Sequence, residues 1–173
     1  MASNWYALYT KPRAEKKVLD RLLEQGIEAY LPLQKRLRQW KDRKKWVEIP
    51  LINSYVFVKI EYKDYLNVLN TVGAVRFIFF LGKAATIPEW QINSLKQLLE
   101  SEKEIEISTE NFKQGNRVRV ISGVLIGLEG ELISIKGNKK VIVRIDQVGY
   151  SISVNIPLSE LKILKNKEDL NIY

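Results

Sequence analysis

Apolar and polar positions over the first hundred residues predict a mixture of strands and helices. Residues 4–10 alternate over two faces that are both apolar enough to be covered, which predicts a strand. Residues 14–25 carry an apolar stripe at helical spacing, and Gly26 follows where a left-handed C-terminal cap is expected. The chain therefore opens with a strand and an amphipathic helix.

Two extended runs follow and predict a long hairpin. Residues 27–37 bring the chain back as a strand, and residues 47–60, rich in Ile, Val, Tyr and Phe, form the return. The polar segment between them places the tip of this hairpin near residues 40–45.

The remainder of this half predicts helix, strand and helix. Residues 62–72 predict a short helix, and residues 75–81 form an apolar run of strand length. We expect the side chains on the inward face of this short helix to be Tyr65, Leu66 and Leu69. Pro88 opens a helix whose apolar face holds Ile92, Leu95, Leu98 and Leu99. This order of elements is that of a split βαβ sheet with packed helices.

The pattern changes to period two from Phe112 onwards. Short alternating runs are separated by glycine turns, which predicts a small barrel or sandwich. The polar, acidic segment before it lacks a face to bury and is interpreted as a linker. The predicted bounds are 1–104 for the first domain, 105–111 for the linker, 112–165 for the second domain and 166–173 for a tail.

Composition narrows the possible functions. The 173 residues include no cysteine and no histidine, which removes thiolate metal sites, disulfides and nucleophiles activated by histidine. No Asp/Glu cluster has metal-ligand spacing, and no glycine loop suited to phosphate is present. We therefore expect no enzyme, no cofactor and no metal. The absence of an apolar run of membrane length favours a cytoplasmic protein, and we expect a monomer.

Positive charge is concentrated in the predicted hairpin. The formal net charge is +8, and residues 34–48 hold seven Lys or Arg against two carboxylates. This concentration favours an anionic partner, above all nucleic acid, although a solvated surface hairpin gives the same pattern. Trp40 and Trp46 lie in this segment and either stack on an unpaired base or pair across the hairpin.

Three stretches resemble the NusG family of transcription elongation factors. WYALYTKPR, PLINSYVFV and GAVRFIFFLGKAATIP are similar to segments of the N-terminal (NGN) domain, in the same order. GNRVRVISGVLIGLEGEL resembles the KOW motif, with Gly130 at its central glycine. The resemblance implies an α+β fold: a split βαβ sheet of the NGN type with packed helices, followed by a small SH3-like β-barrel.

The resemblance also implies a surface that binds the clamp helices of the largest RNA polymerase subunit. Matched by position, this surface consists of Tyr9, Ile52, Tyr55, Phe57 and Ile92. Spacing alone places Tyr55 and Phe57 on one face of a strand, but ordinary core aromatics give the same spacing. The chain departs from the family at Asn53 and Ser54, where Pro and then Gly or Asn are usual.

Two further sets of residues follow from the resemblance and the charge. The set expected to meet nucleic acid, including the non-template DNA strand, is Lys11, Arg13, Lys16, Lys17, Lys41, Arg43, Lys44, Lys45 and Arg76. In the KOW motif, Leu125 stands where the family has an aromatic residue, and it is the candidate contact for a ribosomal protein or termination factor.

These observations favour an elongation factor that promotes processivity and antitermination. The departures from the general motifs and the basic hairpin indicate a specialised paralogue acting on particular operons. The alternative is a ribosome- or RNA-binding module built on the KOW barrel.

Overall fold

The computed structural model describes residues 2–110 and 112–164. The predicted tail, 166–173, lies outside the described residues. Contacts divide the chain into a first unit, Met1–Glu89, and a second unit that begins at Trp90.

The first unit is built on a five-stranded antiparallel sheet. Its strands are β1 (Asn4–Thr10), β2 (Glu28–Tyr30), β5 (Tyr55–Ile60), β6 (Ala74–Phe77) and β9 (Thr86–Ile87). The order is β2-β5-β1-β6, and β9 also pairs with β1. The first strand therefore lies in the interior of the sheet, with a paired strand on each of its edges. The predicted strand at residues 4–10 is confirmed.

Two helices cover one face of this sheet. Helix α1 spans Glu15–Glu24, and Gly26 follows it with φ 74°, as a left-handed cap requires. A 3₁₀ turn at Tyr62–Asp64 precedes α2, which spans Tyr65–Leu69. The core between helices and sheet consists of Leu8, Val18, Leu22, Leu31, Val56, Val58, Ile60, Val68 and Phe77.

The inward face of α2 differs from the prediction at one residue. Leu66 is 67% exposed, whereas Val68 is fully buried. The reason is length: α2 has only five residues, so it turns one narrow side to the sheet. Tyr65 and Leu69 pack against the core as expected.

Two hairpins of the first unit lie outside the five-stranded sheet. Strands β3 (Leu33–Gln39) and β4 (Lys44–Pro50) pair only with each other and form the predicted long hairpin, with its loop at residues 40–43. Strands β7 (Phe79–Phe80) and β8 (Lys83–Ala84) form a much shorter hairpin.

The second unit contains a helix and a six-stranded antiparallel sheet. Helix α3 spans Glu89–Glu100 and buries Ile92, Leu95 and Leu98. The strands are β10 (Ile105–Ser108), β11 (Asn116–Val120), β12 (Glu129–Ile135), β13 (Asn138–Ile145), β14 (Tyr150–Val154) and β15 (Leu161–Ile163). Their order is β10-β14-β13-β12-β11-β15. Among the described residues, no hydrogen-bonded ladder joins the two end strands, β10 and β15. Backbone hydrogen bonds therefore do not close the predicted barrel.

The segment predicted as a linker contains a strand. Strand β10 pairs with β14 from Ile105↔Val154 to Ser108↔Ser151, so these residues belong to the sheet. The pattern IEIS is too short to reveal a buried face, but an edge strand needs only one covered side.

Helix α3 was predicted in the first domain, but its contacts group it with the second unit. Ser94 Oγ donates to the Glu129 carbonyl oxygen at 3.2 Å, and Gln97 Nε2 donates to that of Ile126 at 2.7 Å.

Gly130 has the physical role expected of the central glycine. A Cβ at this position would lie 2.5 Å from the Ile142 carbonyl oxygen and 2.8 Å from Val141 Cγ1. Close approach of β12 to β13, rather than a left-handed turn, therefore requires glycine here.

Candidate functional site

Three side chains form a row across neighbouring strands of the first unit. Tyr55 on β5 lies opposite Tyr9 on β1, and Tyr9 lies opposite Arg76 on β6. The two tyrosine rings meet edge to face with centroids 5.4 Å apart, and the guanidinium of Arg76 lies 5.7 Å from the Tyr9 ring. Both tyrosines are half-buried and Arg76 is exposed. The row offers a partner two aromatic edges beside a positive charge.

A buried carboxylate holds the loop that leads into β5. Glu15, in the first turn of α1, is 5% exposed, and its Oε1 accepts a hydrogen bond of 2.7 Å from the Ser54 N–H. The Ser54 carbonyl oxygen in turn accepts from the Thr10 N–H at 2.9 Å. Ser54 has φ 64°, a left-handed conformation that favours Gly or Asn. Ser54 therefore adopts here a conformation that Gly or Asn, the residues that the resemblance led us to expect, would adopt more easily.

Three of the five residues expected at the polymerase-binding surface are not accessible. Ile52, Phe57 and Ile92 each have no exposed surface. The structure therefore covers three members of the apolar patch that the resemblance implied, because alternation places a side chain on a face without deciding what covers that face. Tyr9 and Tyr55 are the members that a partner can reach.

The basic residues at the end of β1 are exposed but make different contacts. Lys11, Arg13, Lys16 and Lys17 are all exposed. Lys16 Nζ donates to the Glu48 carbonyl oxygen at 2.8 Å, which ties α1 to the base of the β3–β4 hairpin. The Lys11 N–H donates to the Gly73 carbonyl oxygen at 2.9 Å, so Lys11 lies beside the start of β6, the strand that carries Arg76.

The β3–β4 hairpin separates two kinds of side chain onto its two faces. Directly opposed residues share a face, and alternate residues along a strand change face. One face carries the pair Leu37↔Trp46, and the other carries Arg38↔Lys45. Every residue from 35 to 46 is exposed, so nothing in the described chain covers either face.

Trp40 and Trp46 do not pair across the hairpin. Trp40 lies in the loop, where its backbone N–H donates to the Arg43 carbonyl oxygen at 2.8 Å. Trp46 instead lies opposite Leu37 on the neighbouring strand. The indoles are 54% and 65% exposed. The sequence left two interpretations open for these tryptophans, and the one in which they pair across the hairpin is wrong.

Most cations of the hairpin make no ion pair with the described residues. Over the described residues, the side chains of six of its seven cations make no ion pair: Arg36, Arg38, Lys41, Arg43, Lys44 and Lys45. Arg38 and Lys45 even face each other across the ladder. Like charges placed directly opposite destabilise a sheet, so this arrangement does not serve the stability of the hairpin.

Leu125, the candidate contact of the second unit, is buried. It is 1% exposed, and its N-terminal and C-terminal neighbours Val124 and Ile126 are 69% and 60% exposed. The apolar contact expected at this loop is therefore offered by the residues on either side of the predicted one. The Ile126 N–H donates to the Gly123 carbonyl oxygen at 3.2 Å, and this tight turn directs Leu125 inward.

The three arginines of the second unit, over its described residues, all make ion pairs with glutamates. Glu129 accepts from Arg117 at 3.0 Å and from Arg119 at 2.6 Å, and Glu131 accepts from Arg144 at 2.9 Å. These partners lie on neighbouring strands β11, β12 and β13, so the ion pairs cross the sheet. They stabilise the unit rather than present charge to a partner.

One exposed apolar tip was missed by sequence analysis. Phe79, Phe80 and Leu81 are 51%, 69% and 87% exposed at the β7–β8 turn. The run FIFFL matched a buried strand, which concealed the turn. The following Gly82 was the available signal: Leu81 and Gly82 have φ 51° and 77°, as a two-residue hairpin turn requires.

Other kinds of site find no support in residues 2–110 and 112–164. No group of three or more Asp or Glu side chains there is arranged to hold a metal ion. Over the same residues, no helix has the length and apolarity needed to cross a membrane.

Comparison with known proteins identifies one family. Residues 3–96, more than half of the chain, match the NusG family model, described as transcription termination factor nusG. A transcription termination/antitermination protein NusG from Streptococcus pyogenes serotype M3 is 26% identical over 149 residues, which cover 78% of this chain and 82% of the relative. The protein of the same description from S. pyogenes serotype M1 matches to the same extent.

Two solved structures are also similar. One describes the domain interaction in Thermotoga maritima NusG; it has a TM-score of 0.49 and 21% identity, and covers 94% of this chain and 98% of its own. The other is a MjSpt4:Spt5 complex, with a TM-score of 0.33, 19% identity and coverage of 94% and 97%.

Proposed function

Since the chain belongs to the NusG family, we propose that it is a transcription elongation factor that binds RNA polymerase. It promotes processivity and antitermination as a specialised paralogue acting on particular operons. The observation that carries this proposal is the row of Tyr55, Tyr9 and Arg76, which is accessible on strands that the family model covers.

The polymerase contact is made by the clamp helices of the largest subunit. The rings of Tyr9 and Tyr55 supply the accessible apolar edges, and aromatic anchors contribute most where a partner buries them. Ile52, Phe57 and Ile92 join this contact only after the side chains around them move, because all three are fully buried. A factor that binds the closed clamp better than the open clamp shifts the polymerase away from paused conformations.

Nucleic acid is the second partner. Lys11, Arg13 and Arg76 lie on the first unit at the β1–β6 edge, where Arg76 also contacts the Tyr9 ring. This edge faces the non-template DNA strand, and lysines and arginines contact its phosphates without reading sequence. Lys17 adds an exposed charge at the start of α1, whereas Lys16 is already engaged with the hairpin.

The second unit binds a further partner through the loop around Leu125. Val124 and Ile126 give this loop its exposed apolar surface. A ribosomal protein or termination factor bound there would be held near the polymerase at high effective concentration.

A pull-down from nuclease-treated lysate tests the polymerase contact. We expect the wild-type chain to retain RNA polymerase and the variant Tyr9→Ala/Tyr55→Ala to lose it at least tenfold, because both accessible rings are removed. Tyr62→Ala is the matched control, since Tyr62 is 82% exposed in the same unit but lies outside the row.

Two outcomes would contradict the proposal. Loss of every partner after nuclease treatment would favour an RNA-binding module instead. Retention of polymerase by the double variant, with an unchanged circular dichroism spectrum, would remove the tyrosine row from the interface. In vitro transcription across a pause site then tests processivity directly, and the wild-type chain is expected to shorten the pause.

A further inference from the structure

We propose that the β3–β4 hairpin binds single-stranded DNA by stacking an unpaired base on Trp46. This inference deepens the proposed function, because it assigns a mode of nucleic-acid contact to one element. It rests on two properties of the hairpin: an exposed tryptophan with Lys44 on one face, and the cations Arg36, Arg38 and Lys45 on the other.

Trp46 has the geometry of a stacking platform. Its indole is 65% exposed, and its cross-strand neighbour Leu37 is 48% exposed beside it. The face is apolar at these two positions and becomes polar toward the tip at the pair Gln39↔Lys44. Lys44 lies two residues from Trp46 on the same face, a distance of about 7 Å along a strand.

The occupant must match an apolar ring and positive charge together. An unpaired nucleotide does so, because its base offers a flat apolar face and its phosphate offers negative charge. A DNA duplex offers only the phosphates, since its base faces are covered by stacking. The surface therefore favours a single strand over a duplex.

The opposite face supplies charge without an aromatic ring. Arg36, Arg38 and Lys45 share it, and the directly opposed pair Arg38↔Lys45 makes no ion pair with a carboxylate of the described residues. A phosphate bound between these two cations would remove their mutual repulsion. The cations of this face therefore add salt-dependent affinity for any strand, whereas Trp46 adds the preference for unpaired bases.

The surroundings of Trp46 favour DNA over RNA. Leu37, the residue directly across from it, has no polar atom in its side chain to bind a ribose 2′-hydroxyl. Covering that hydroxyl without a hydrogen bond is unfavourable, and deoxyribose has none to cover. Leu37 also provides an apolar contact suited to the methyl group of thymine.

Fluorescence anisotropy with the full chain and labelled oligodeoxythymidine of about 15 nucleotides tests the proposal. Trp46→Ala should weaken binding about tenfold, and Trp46→Phe should retain affinity within about threefold, because phenylalanine still stacks. The slope of affinity against salt concentration should not change in either variant, since no phosphate contact is lost. Binding to a duplex of the same length should be equal in all three proteins.

Variants of the other face and of a distant aromatic complete the design. Arg38→Ala/Lys45→Ala should lower the salt slope by about 0.7 for each lost phosphate contact and leave the preference for single strands intact. Tyr62→Ala, an exposed aromatic beside the acidic Glu61 and Asp64, should bind like the wild type.

Several results would overturn the inference. Unchanged binding of oligodeoxythymidine by Trp46→Ala would exclude stacking, and an equal loss on duplex would exclude the preference for unpaired bases. Equal affinity for oligodeoxyuridine and oligouridine would contradict the assignment to DNA. If Trp46→Ala weakened only the retention of polymerase, the face would be a protein contact. The anisotropy assay contains no polymerase. A negative result there would therefore contradict this inference but not the proposed polymerase contact of Tyr9 and Tyr55.

Discussion

The β3–β4 hairpin and the sheet of the second unit are both basic, but they differ in how many of their cations make ion pairs. Residues 34–48 hold seven cations against two carboxylates, and residues 112–164 hold eight against four. The excess is therefore +5 in one region and +4 in the other. Four of the eight cations of residues 112–164, the three arginines and Lys140, make ion pairs with glutamates, whereas six of the seven hairpin cations make no ion pair among the described residues.

This difference shows that net charge alone does not identify a binding surface. The side chains of Arg117, Arg119 and Arg144 form ion pairs with glutamates on neighbouring strands of their own sheet. Six of the hairpin cations make no ion pair with the described residues, and two of these, Arg38 and Lys45, lie directly opposite each other across the ladder. Charge that does not stabilise the fold remains available to an anionic partner.

The largest expected effect lies in the second unit. Glu129→Gln removes the carboxylate shared by Arg117 and Arg119, and Glu129 is only 12% exposed at its side chain. We expect the free energy of unfolding to fall by about 2 kcal/mol, because charged hydrogen bonds are lost at a largely buried site. Urea denaturation followed by circular dichroism measures this loss.

Glu106→Gln is the matched control in the same sheet. Its carboxylate pairs with Lys140 at 2.6 Å but is 62% exposed, so the loss should stay below about 0.5 kcal/mol. Equal losses in the two variants would mean that the shared carboxylate has no structural role, and the contrast between the regions would disappear.

A smaller effect on stability is expected in the hairpin. The combined change of Lys41, Arg43, Lys44 and Lys45 to Gln should alter the free energy of unfolding by no more than about 0.5 kcal/mol in total, since these exposed side chains make no ion pair with the described residues. The same variant should lower the salt slope for DNA binding by up to about 3, if all four contact phosphates. A clear loss of stability with an unaltered salt slope would mean that these cations stabilise the hairpin and do not bind DNA.

The smallest effect concerns a paired cation on the surface of the first unit. Lys59 Nζ lies 2.8 Å from Glu89 Oε1, and this hydrogen bond raises the pKa of Lys59 above 10.5. The pKa of Lys59 is higher in the folded than in the unfolded protein. The interaction of Lys59 with Glu89 therefore contributes to stability below pH 10.5, and this contribution is lost as pH rises through the folded pKa. Glu89→Gln should therefore lower the pKa of Lys59 toward 10.5, as measured by NMR titration of the lysine side chain. An unchanged pKa would assign the shift to Glu28 instead.

Local pattern was sufficient for most elements of the first unit. The strand Asn4–Thr10, the cap at Gly26 and the long hairpin all follow from periodicity and from turn residues a few positions away. The strand at Ile105–Ser108 was not predicted, because four residues carry too little alternation and their partner strand lies more than forty residues later, at Tyr150–Val154. Its existence depends on a pairing that no local window contains.

The candidate site shows the same division more sharply. The sequence alone determined that Tyr55 and Phe57 share a face of one strand and that positive charge gathers between residues 34 and 48, since strand geometry and composition are local properties. Only the tertiary structure decided which of these groups meet solvent. It buries Phe57, Ile52, Ile92 and Leu125 and leaves Tyr9, Tyr55 and Trp46 accessible, because accessibility depends on segments that are distant in the chain.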